Sequence, residues 1–464
     1  NTVYSGGGHT VLEFEGEDKA IRFTQLITKA IHKEFSGLEI FTKTISYDES
    51  KQPGENLSDL IGTLERKKAI RVSAFHQGSF GIEKIDRETM QPCLTEEQEK
   101  STAFQQYEKR IEETMEVPGY KEIAQLEKLG GSKDISNFIA IVHIDGNAMG
   151  KRVESLDQKN PNIDWETYRK LRKDFSEAID KDFKSAYKEM VECVVKNIED
   201  GNLNALDLKE KMLPVRRLIT AGDDICFVTE GRIGIECANI FIKKLNQKIN
   251  AIDHEGYAAC AGVAIVHRKY PFYKAYELAE MLCSNAKKFG AGIDREGLGK
   301  NVSAIDWHIE FGEMKDTLEE IRKNYVVKKE GTLELRPYII TAAGEQGAKE
   351  PLRRYENFRK LISKIQRETE SENSISYARG KLKTLRSVLK QGENEAFYFM
   401  KANHMDSLDT ESYYDIFEKT DYSQIGKGEE RKGHLFIKTA DGVKRSILFD
   451  AIEAVDTFIR LEMN

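Results

Sequence analysis

An α+β fold built on a split βαβ sheet is predicted by three observations. Between Asn137 and Phe311 the hydrophobic period switches repeatedly, in the order strand, helix, hairpin, helix, strand, helix. Two of those strand ends carry acids beside turn-forming glycines, Asp145-Gly146 and Ala221-Gly222-Asp223-Asp224. Part of the pattern also recurs near the N-terminus. Setting Gly6-Gly7-Gly8-His9 against Ala221 to Asp224 aligns Glu15-Gly16 with Glu230-Gly231 at the same spacing.

The elements follow in chain order. Asn137 to Asp145 is a short apolar, β-branched run that reads as a buried strand delivering an acid to its C-terminal tip. From Trp165 to Asn197, Tyr168, Leu171, Phe175, Ile179, Phe183, Tyr187 and Val191 recur at steps of three or four, which predicts a helix. Arg217 to Thr229 places two strand-like runs around Ala-Gly-Asp-Asp, the composition of a tight hairpin. A helix is expected from Ile233 to about Ile249, a strand from Tyr257 to His267, and a helix from Pro271 to Phe289 with its proline in the first turn. This is a ferredoxin-like plan, an antiparallel sheet with helices on one face. In the N-terminal copy the hairpin is followed by a helix over Asp18 to Phe35 and a strand over Leu38 to Ser46. That copy lacks its opening strand and helix, so the chain is expected to begin inside a domain.

Between the copies, Lys51 to Glu65 and Glu83 to Lys133 are polar and charge-dense and read as a solvated helical insertion. After Phe311, helices are expected near Pro351 to Arg367, Ile375 to Gln391 and Ile447 to Met463, in a C-terminal part with no catalytic constellation.

Composition excludes several classes. With 71 Lys plus Arg against 78 Asp plus Glu in 464 residues, the formal charge is −7 and no global field favours nucleic acid. No apolar run approaches the roughly 18 residues of a membrane span, and no basic-then-apolar leader opens the chain. The cysteines, Cys93, Cys193, Cys226, Cys237, Cys260 and Cys283, form no C-x-x-C pair and lie mostly in apolar or helical stretches. A reducing cytoplasm fits them, and a zinc knuckle does not.

The split βαβ topology makes Asp145 a neighbour of Asp223-Asp224 across the sheet. Three convergent carboxylates repel one another, and the usual compensation is a divalent cation, Mg2+ or Mn2+, which hard oxygens suit. Two such ions can activate a ribose 3′-hydroxyl and stabilise a pyrophosphate leaving group. The small residues Gly146, Gly150, Ala221 and Gly222 allow phosphates to approach the backbone.

Strand-Asp-Gly-Asn-Ala-Met-Gly (Asp145 to Gly150), the hairpin Ala221 to Asp224 and a helix ending Ala-Lys-Lys-Phe-Gly (Ala286 to Gly290) resemble the palm of the nucleotide cyclase and polymerase superfamily. More closely, they resemble the large polymerase/cyclase subunit of type III CRISPR effector complexes, which carries two palms, one degenerate, and a helical C-terminal domain. The Gly6-Gly7-Gly8 hairpin is similar to the degenerate first palm, and Arg336-Pro337-Tyr338 to a segment following the second. The resemblance implies four parts: a partial first palm over 1–82, a helical insertion over 83–134, a catalytic second palm over 135–315 and a helical domain over 316–464. It makes Asp145, Asp223 and Asp224 the catalytic, metal-holding acids, with two Mg2+ or Mn2+ ions. It implies ATP as substrate and a cyclic or linear adenylate messenger as product, made in antiviral defence when target RNA binds an assembled complex. Guide and target RNA would be reached through other subunits. Gly6, Gly7, Gly8, His9, Gly146, Asn147, Gly150, Lys151, Gly222 and Lys287 are the expected nucleotide-binding residues, Lys287 matching a phosphate-contacting lysine with Lys288 as its rival.

Three departures matter. Ala221 replaces the first hairpin glycine, tolerable while its φ stays negative. Asn147 stands where many relatives carry a second aspartate. Its amide is suited to a nucleobase or ribose, and joining ATP to S-adenosylmethionine stays open as the reaction. No His-Asp dipeptide occurs, so the nuclease domain of many relatives is not expected in this chain. A stand-alone cyclase and a catalytically silent scaffold for RNA or protein are the competing readings. His143, on the face of Asp145, is expected to pack or to support the acids, and His267-Arg268-Lys269 reads equally as a phosphate contact or a charged connection.

Overall fold

In the computed structural model, Phe138–Gly146 (β3) is the centre of a six-stranded sheet. The structure describes residues 1–6, 9–34, 39–70, 117, 119–123, 126–129, 137–206, 208, 211–295, 302–312, 315–340, 351–370, 379–405, 435–439 and 441–463. Gly7, Gly8, Cys93 and most of the expected 83–134 insertion lie outside them. They form two compact units, one of residues 1–115, 149–179 and 251–253, the other of 116–148, 180–250 and 254–464.

The first unit contains a hairpin of Thr2–Gly6 (β1) and His9–Leu12 (β2), and the helices Glu17–Glu34 (α1), Pro53–Ala69 (α2) and Met149–Lys159 (α3). The first half of Trp165–Glu199 (α4) completes it. Its core is Val3, Val11, Leu57 and Tyr168, with Trp165 donating to Glu13 at 2.6 Å. The strand expected over Leu38 to Ser46 is not there: the described residues 39–46 form neither helix nor strand. β1 and β2 pair with each other alone. A strand after α1 has no described neighbour to complete its ladder, and unpaired backbone stays in irregular conformation.

In the second unit β3 pairs antiparallel with Asp224–Glu230 (β5), which forms a hairpin with Val215–Ala221 (β4), and on its other side with Ala259–His267 (β6). Two strands that the sequence reading did not include extend the sheet. Ala304–Ile309 (β7) runs parallel to β6, and beyond it lies Tyr338–Ile339 (β10). Between the last two, Val326–Val327 (β8) and Gly331–Thr332 (β9) join Phe436–Lys438 (β11) and Lys444–Ser446 (β12) in a separate small sheet. Strands β3 to β6 and the helices α4, Gly234–Asn246 (α5) and Phe272–Arg295 (α6) match the expected ferredoxin-like order.

The expectation of helices on one face is corrected. On one side a Cβ at Gly234 of α5 would strike Ala140 of β3, and Phe183 of α4 packs on Phe241 of α5 at 6.1 Å. On the other, a Cβ at Gly262 of β6 would collide with the backbone of Ala279 and Cys283 in α6. Side chains alternate across a strand, and β3 is fully buried from Ile139 through Val142, so both faces are covered. A parallel β6–β7 pair needs a crossover, and α6 supplies it.

The second unit also holds a short parallel pair, Lys121–Glu122 with Met212–Leu213, and the helices Leu318–Lys323 (α7), Tyr355–Glu370 (α8), Arg379–Leu389 (α9), Glu393–Ala402 (α10) and Phe449–Ala454 (α11). The helix expected over Ile447 to Met463 thus shrinks to its first turns. Residues 458–463 form neither helix nor strand, and there Leu461 is buried and its amide donates to Glu236 at 3.0 Å. No helix among the described residues is long and apolar enough to cross a membrane.

Gly262→Ala should therefore destabilise the protein by about 2–4 kcal/mol, because the obstructing atoms are helix backbone and cannot rotate away. A urea-denaturation midpoint equal to wild type would show that α6 does not approach β6 this closely.

Candidate active site

The acids are brought together by strand register. Asp145 sits directly opposite Asp224 in the β3–β5 ladder, and Asp223 fills the two-residue turn between β4 and β5. The amide of Gly146 donates to the carbonyl of Asp223 at 3.2 Å, which stitches the strand tip to the turn. Gly222 adopts φ +65°, the left-handed conformation that glycine takes without a Cβ penalty, and its amide donates to Asp180 Oδ1 at 3.3 Å. Ala221 remains in the strand without a positive φ, so the substitution for glycine is tolerated.

Helix α6 supplies the counter-charge. Lys287 Nζ lies 2.5 Å from Asp145 Oδ2 and donates to the carbonyl of Gly146 at 3.0 Å. Lys288, one residue on, is exposed. On the same face of β3, His143 is 8% exposed, and its ring packs edge-on against Tyr276 of α6 at 5.8 Å. Its Nδ1 is 3.6 Å from Asp224 Oδ1, and both atoms are buried without a hydrogen-bond partner.

Electrostatics follow from this crowding. Burial, and then the neighbouring Asp145, push the Asp223 carboxyl up to about 6, partly offset by its own backbone amide and Lys287. Asp224 is also raised, mainly by burial, with Asp145 and Glu280 adding to the rise while His143 and Lys287 oppose it. Glu280 and Tyr276 were not singled out from sequence. Both lie on the face of α6 that carries Lys287, so helical phase was the available signal.

The remaining expected residues fare differently. The amide of Asn147 donates to Ala258 O at 2.8 Å, and its Nδ2 donates to Val302 O at 3.0 Å, so that side-chain nitrogen anchors a neighbouring segment. Gly150 and Lys151 belong to the first unit, in the opening turn of α3, and a Cβ on Gly150 would meet nothing within 4 Å. Gly6 ends β1, and His9 Nε2 lies 3.0 Å from Lys68 Nζ and 3.4 Å from Glu65 Oε1. His267 packs edge-on against Phe138 at 6.3 Å, at the opposite end of β6 from the acids.

The donor set suits a divalent cation, being hard carboxylate oxygen with Asp224 Oδ1 accepting no hydrogen bond. Among the described residues no three or more His, Cys, Asp or Glu side chains are arranged to close around one ion. The trio is thus an open carboxylate edge with a lysine across it, rather than a finished cage.

Residues 138–295 match the family described as Cas10/Cmr2, second palm domain. This bears out, for that segment, the resemblance to the large subunit of type III CRISPR effector complexes. No curated protein matches the chain. Among solved structures, the chain is similar to a Csm1–Csm4 cassette in complex with cA4, with 12% identity over 99% of this chain and 63% of that one, at a TM-score of 0.43. It is similar to Csm1 from T. onnurineus at 11% identity over 99% and 62%, TM-score 0.41. A Csm1–Csm4 cassette in complex with pppApA matches at 13% identity over 72% and 38%, TM-score 0.32. The chain therefore spans less than two thirds of the length of each.

A raised carboxyl binds its proton more tightly in the folded state, so Asp223 favours folding below its unfolded value and penalises it above about 6. Asp223→Asn, which leaves Asp145, Asp224 and Lys287 in place, should be more stable than wild type at pH 8 by about 1–3 kcal/mol. That difference should shrink as pH falls from 6 to 4. Thermal melts of both proteins across this range test it, and a wild type more stable at pH 8 would contradict it.

Proposed function

We propose that the chain is a palm-type nucleotidyltransferase that makes an adenylate second messenger from ATP, as a subunit of a type III CRISPR effector activated by target RNA. What carries the reading is the register that sets Asp145 opposite Asp224 with Lys287 on Asp145. Asp145, Asp223 and Asp224 would hold two Mg2+ or Mn2+ ions. When bound, these supply activation of a ribose 3′-hydroxyl and charge stabilisation at the leaving pyrophosphate.

The chain's own groups have separable tasks. Lys287 keeps the strand-tip acids together and, at the end of a flexible stem, can exchange Asp145 for a phosphate oxygen. His143 backs Asp224 from the buried side and limits which way that carboxylate turns. Gly146 and Gly222 keep the backbone of the edge free of side chains. Gly6, Gly7, Gly8 and His9 of the first unit, and Gly150 with Lys151, belong to the same reading as nucleotide-binding residues. So does the division at 1–82, 83–134, 135–315 and 316–464. Guide and target RNA would be held through partner subunits in the cytoplasm.

One observation favours a second reading. The Lys287–Asp145 pair completes a salt bridge by itself, as it would in a palm kept for scaffolding.

Incubation with ATP and Mn2+, with and without S-adenosylmethionine and with the RNA-loaded complex added, should yield an adenylate product identifiable by mass. Asp223→Ala/Asp224→Ala should lower that yield by more than about a hundredfold, since even outer-shell changes at metal sites cost up to that much. Product at the wild-type rate from this variant would sink the assignment. A product containing the methionyl sulfonium would establish the conjugate reaction. Lys287→Ala should chiefly raise the ATP concentration needed for half-maximal rate, whereas an unaltered dependence would assign Lys287 to structure alone.

A further inference from the structure

A cleft of about 330 Å³ opens at the far end of the same sheet. β7 pairs with β6 so that Ile309 faces Ile265, whereas Asp145 faces Cys260. Five residues of strand set the two levels about 16 Å apart.

The floor of the cleft is charged and buried. His308 of β7 and Glu310, the residue after its end, continue one polar face, and each is 7% exposed. Glu453 of α11 lies beside them, accepting from Tyr325 Oη at 3.1 Å and from Arg336 Nη1 at 2.7 Å. His308 Nε2 is 3.5 Å from Glu310 Oε2, and Glu310 Oε1 accepts the amide of Gly312 at 2.8 Å. Burial holds the imidazole below its ordinary value, so the ring adds no charge near pH 7, and with Glu453 offset by Arg336 the acceptor that remains on the floor is Glu310, in a lining that also includes Lys315. Carboxylate oxygens offer lone pairs and no protons. A ligand reaching them must therefore present N–H or O–H groups.

The exposed side of the cleft is opposite in sign. Arg386 of α9 and Lys390, just past its end, line it, and the Arg386 guanidinium lies 4.7 Å from the centre of the Phe311 ring. Phe311 is 56% exposed although it is a large apolar side chain, and with the guanidinium it forms a flat surface suited to an aromatic ring. Acceptors below, a stacking surface at the side and cations at the mouth call for a planar heterocycle with adjacent donors joined to an anion. Guanine carries N1–H and N2–H side by side, which one carboxylate accepts together, whereas adenine offers a single amino group on that edge. The volume lies at the lower end of ligand pockets and suits one nucleotide.

We propose that this cleft binds a guanine nucleotide, with its base edge on Glu310, its ring against Phe311 and its phosphate on Arg386 and Lys390. The site lies apart from the acid cluster and does not depend on the function assigned to that cluster.

Calorimetry on the full chain carrying Asp223→Ala/Asp224→Ala, titrated with GMP, AMP and inorganic phosphate, isolates the cleft from the acids. GMP should bind at least about tenfold more tightly than AMP or phosphate. Arg386→Gln/Lys390→Gln, both changes on the exposed side, should weaken GMP by about tenfold or more. The isosteric Glu310→Gln should lose most of the preference for GMP over AMP while keeping the rim. Absence of GMP binding, equal affinity for GMP and AMP, or unchanged binding in the rim variant would each overturn the proposal.

Discussion

The site rests on one constraint, the register of β3 against β5. A slip by one residue would exchange the set Ala140, Val142, Ile144 with Ile141, His143, Asp145, and every side chain would change face. Helices cover both faces, so such a slip would press Asp145 and His143 into the apolar packing against α4 and α5. Register is consequently held by the whole length of β3, and the juxtaposition of Asp145 with Asp224 is its by-product at the tip. The cost appears where it must, in carboxyls raised by burial and mutual repulsion. Lys287 and His143 relieve that cost without removing it, which leaves the edge receptive to further positive charge.

A second buried arrangement holds the C-terminal half of this unit to the sheet. Arg336, with 1% of its surface exposed, donates to Asp450 at 2.9 Å and Glu453 at 2.7 Å and lies over Trp307 at 5.5 Å. Asp450 Oδ2 also accepts the amides of Leu335 and Arg336, both at 3.0 Å, and the hydroxyl of Tyr338 at 2.9 Å. Deleting one partner of such a network leaves an uncompensated charge out of water, typically a loss of about 3–5 kcal/mol. The Arg336-Pro337-Tyr338 segment, noticed in the sequence as a family resemblance, is in the structure the clasp between β7, β10 and α11. The same Glu453 that Arg336 neutralises on one side forms part of the cleft floor on the other.

Much of this was legible. The acid-tipped strand, the Ala-Gly-Asp-Asp hairpin and the long amphipathic α4 stand in the structure nearly where their periods placed them, because each combines a clear period with turn chemistry at its end. Other features carried signals that were not read. The unbroken apolar run of β3 points to burial on both faces, and Ile305 to Glu310 alternates apolar and polar strictly, which marks β7 and puts Asp306, His308 and Glu310 on one face. Some had no local signal. Strands of two or three residues, such as β8, β9 and β12, are too short to show a period. That Lys287 and not Lys288 lies against Asp145 depends on the rotation of α6 about its axis, where it packs on Gly262. The anchoring of Asn147 to Val302 joins residues 155 apart in the chain.

An antiparallel sheet differs from a parallel one in where its strands end. In a wholly parallel sheet all carboxyl ends lie on one edge, and ligand sites gather there. Here β3 delivers its C-terminal end to one edge, while β6 and β7, running against it, deliver theirs to the other. At each edge a strand end carries ionisable groups: Asp145 at the first, His308 and Glu310 at the second. The two edges then diverge in what surrounds them. At the first, α6 brings a single lysine to three acids and the balance stays negative, which suits cations and the phosphates they carry. At the second, α11 adds another acid to the floor while Arg386 of α9 and Lys390, just past its end, stand at the rim, a separation of charge that matches the proposed ligand, donor at one end and anion at the other. A single sheet can thus present two chemically different sites without any change in its strand order.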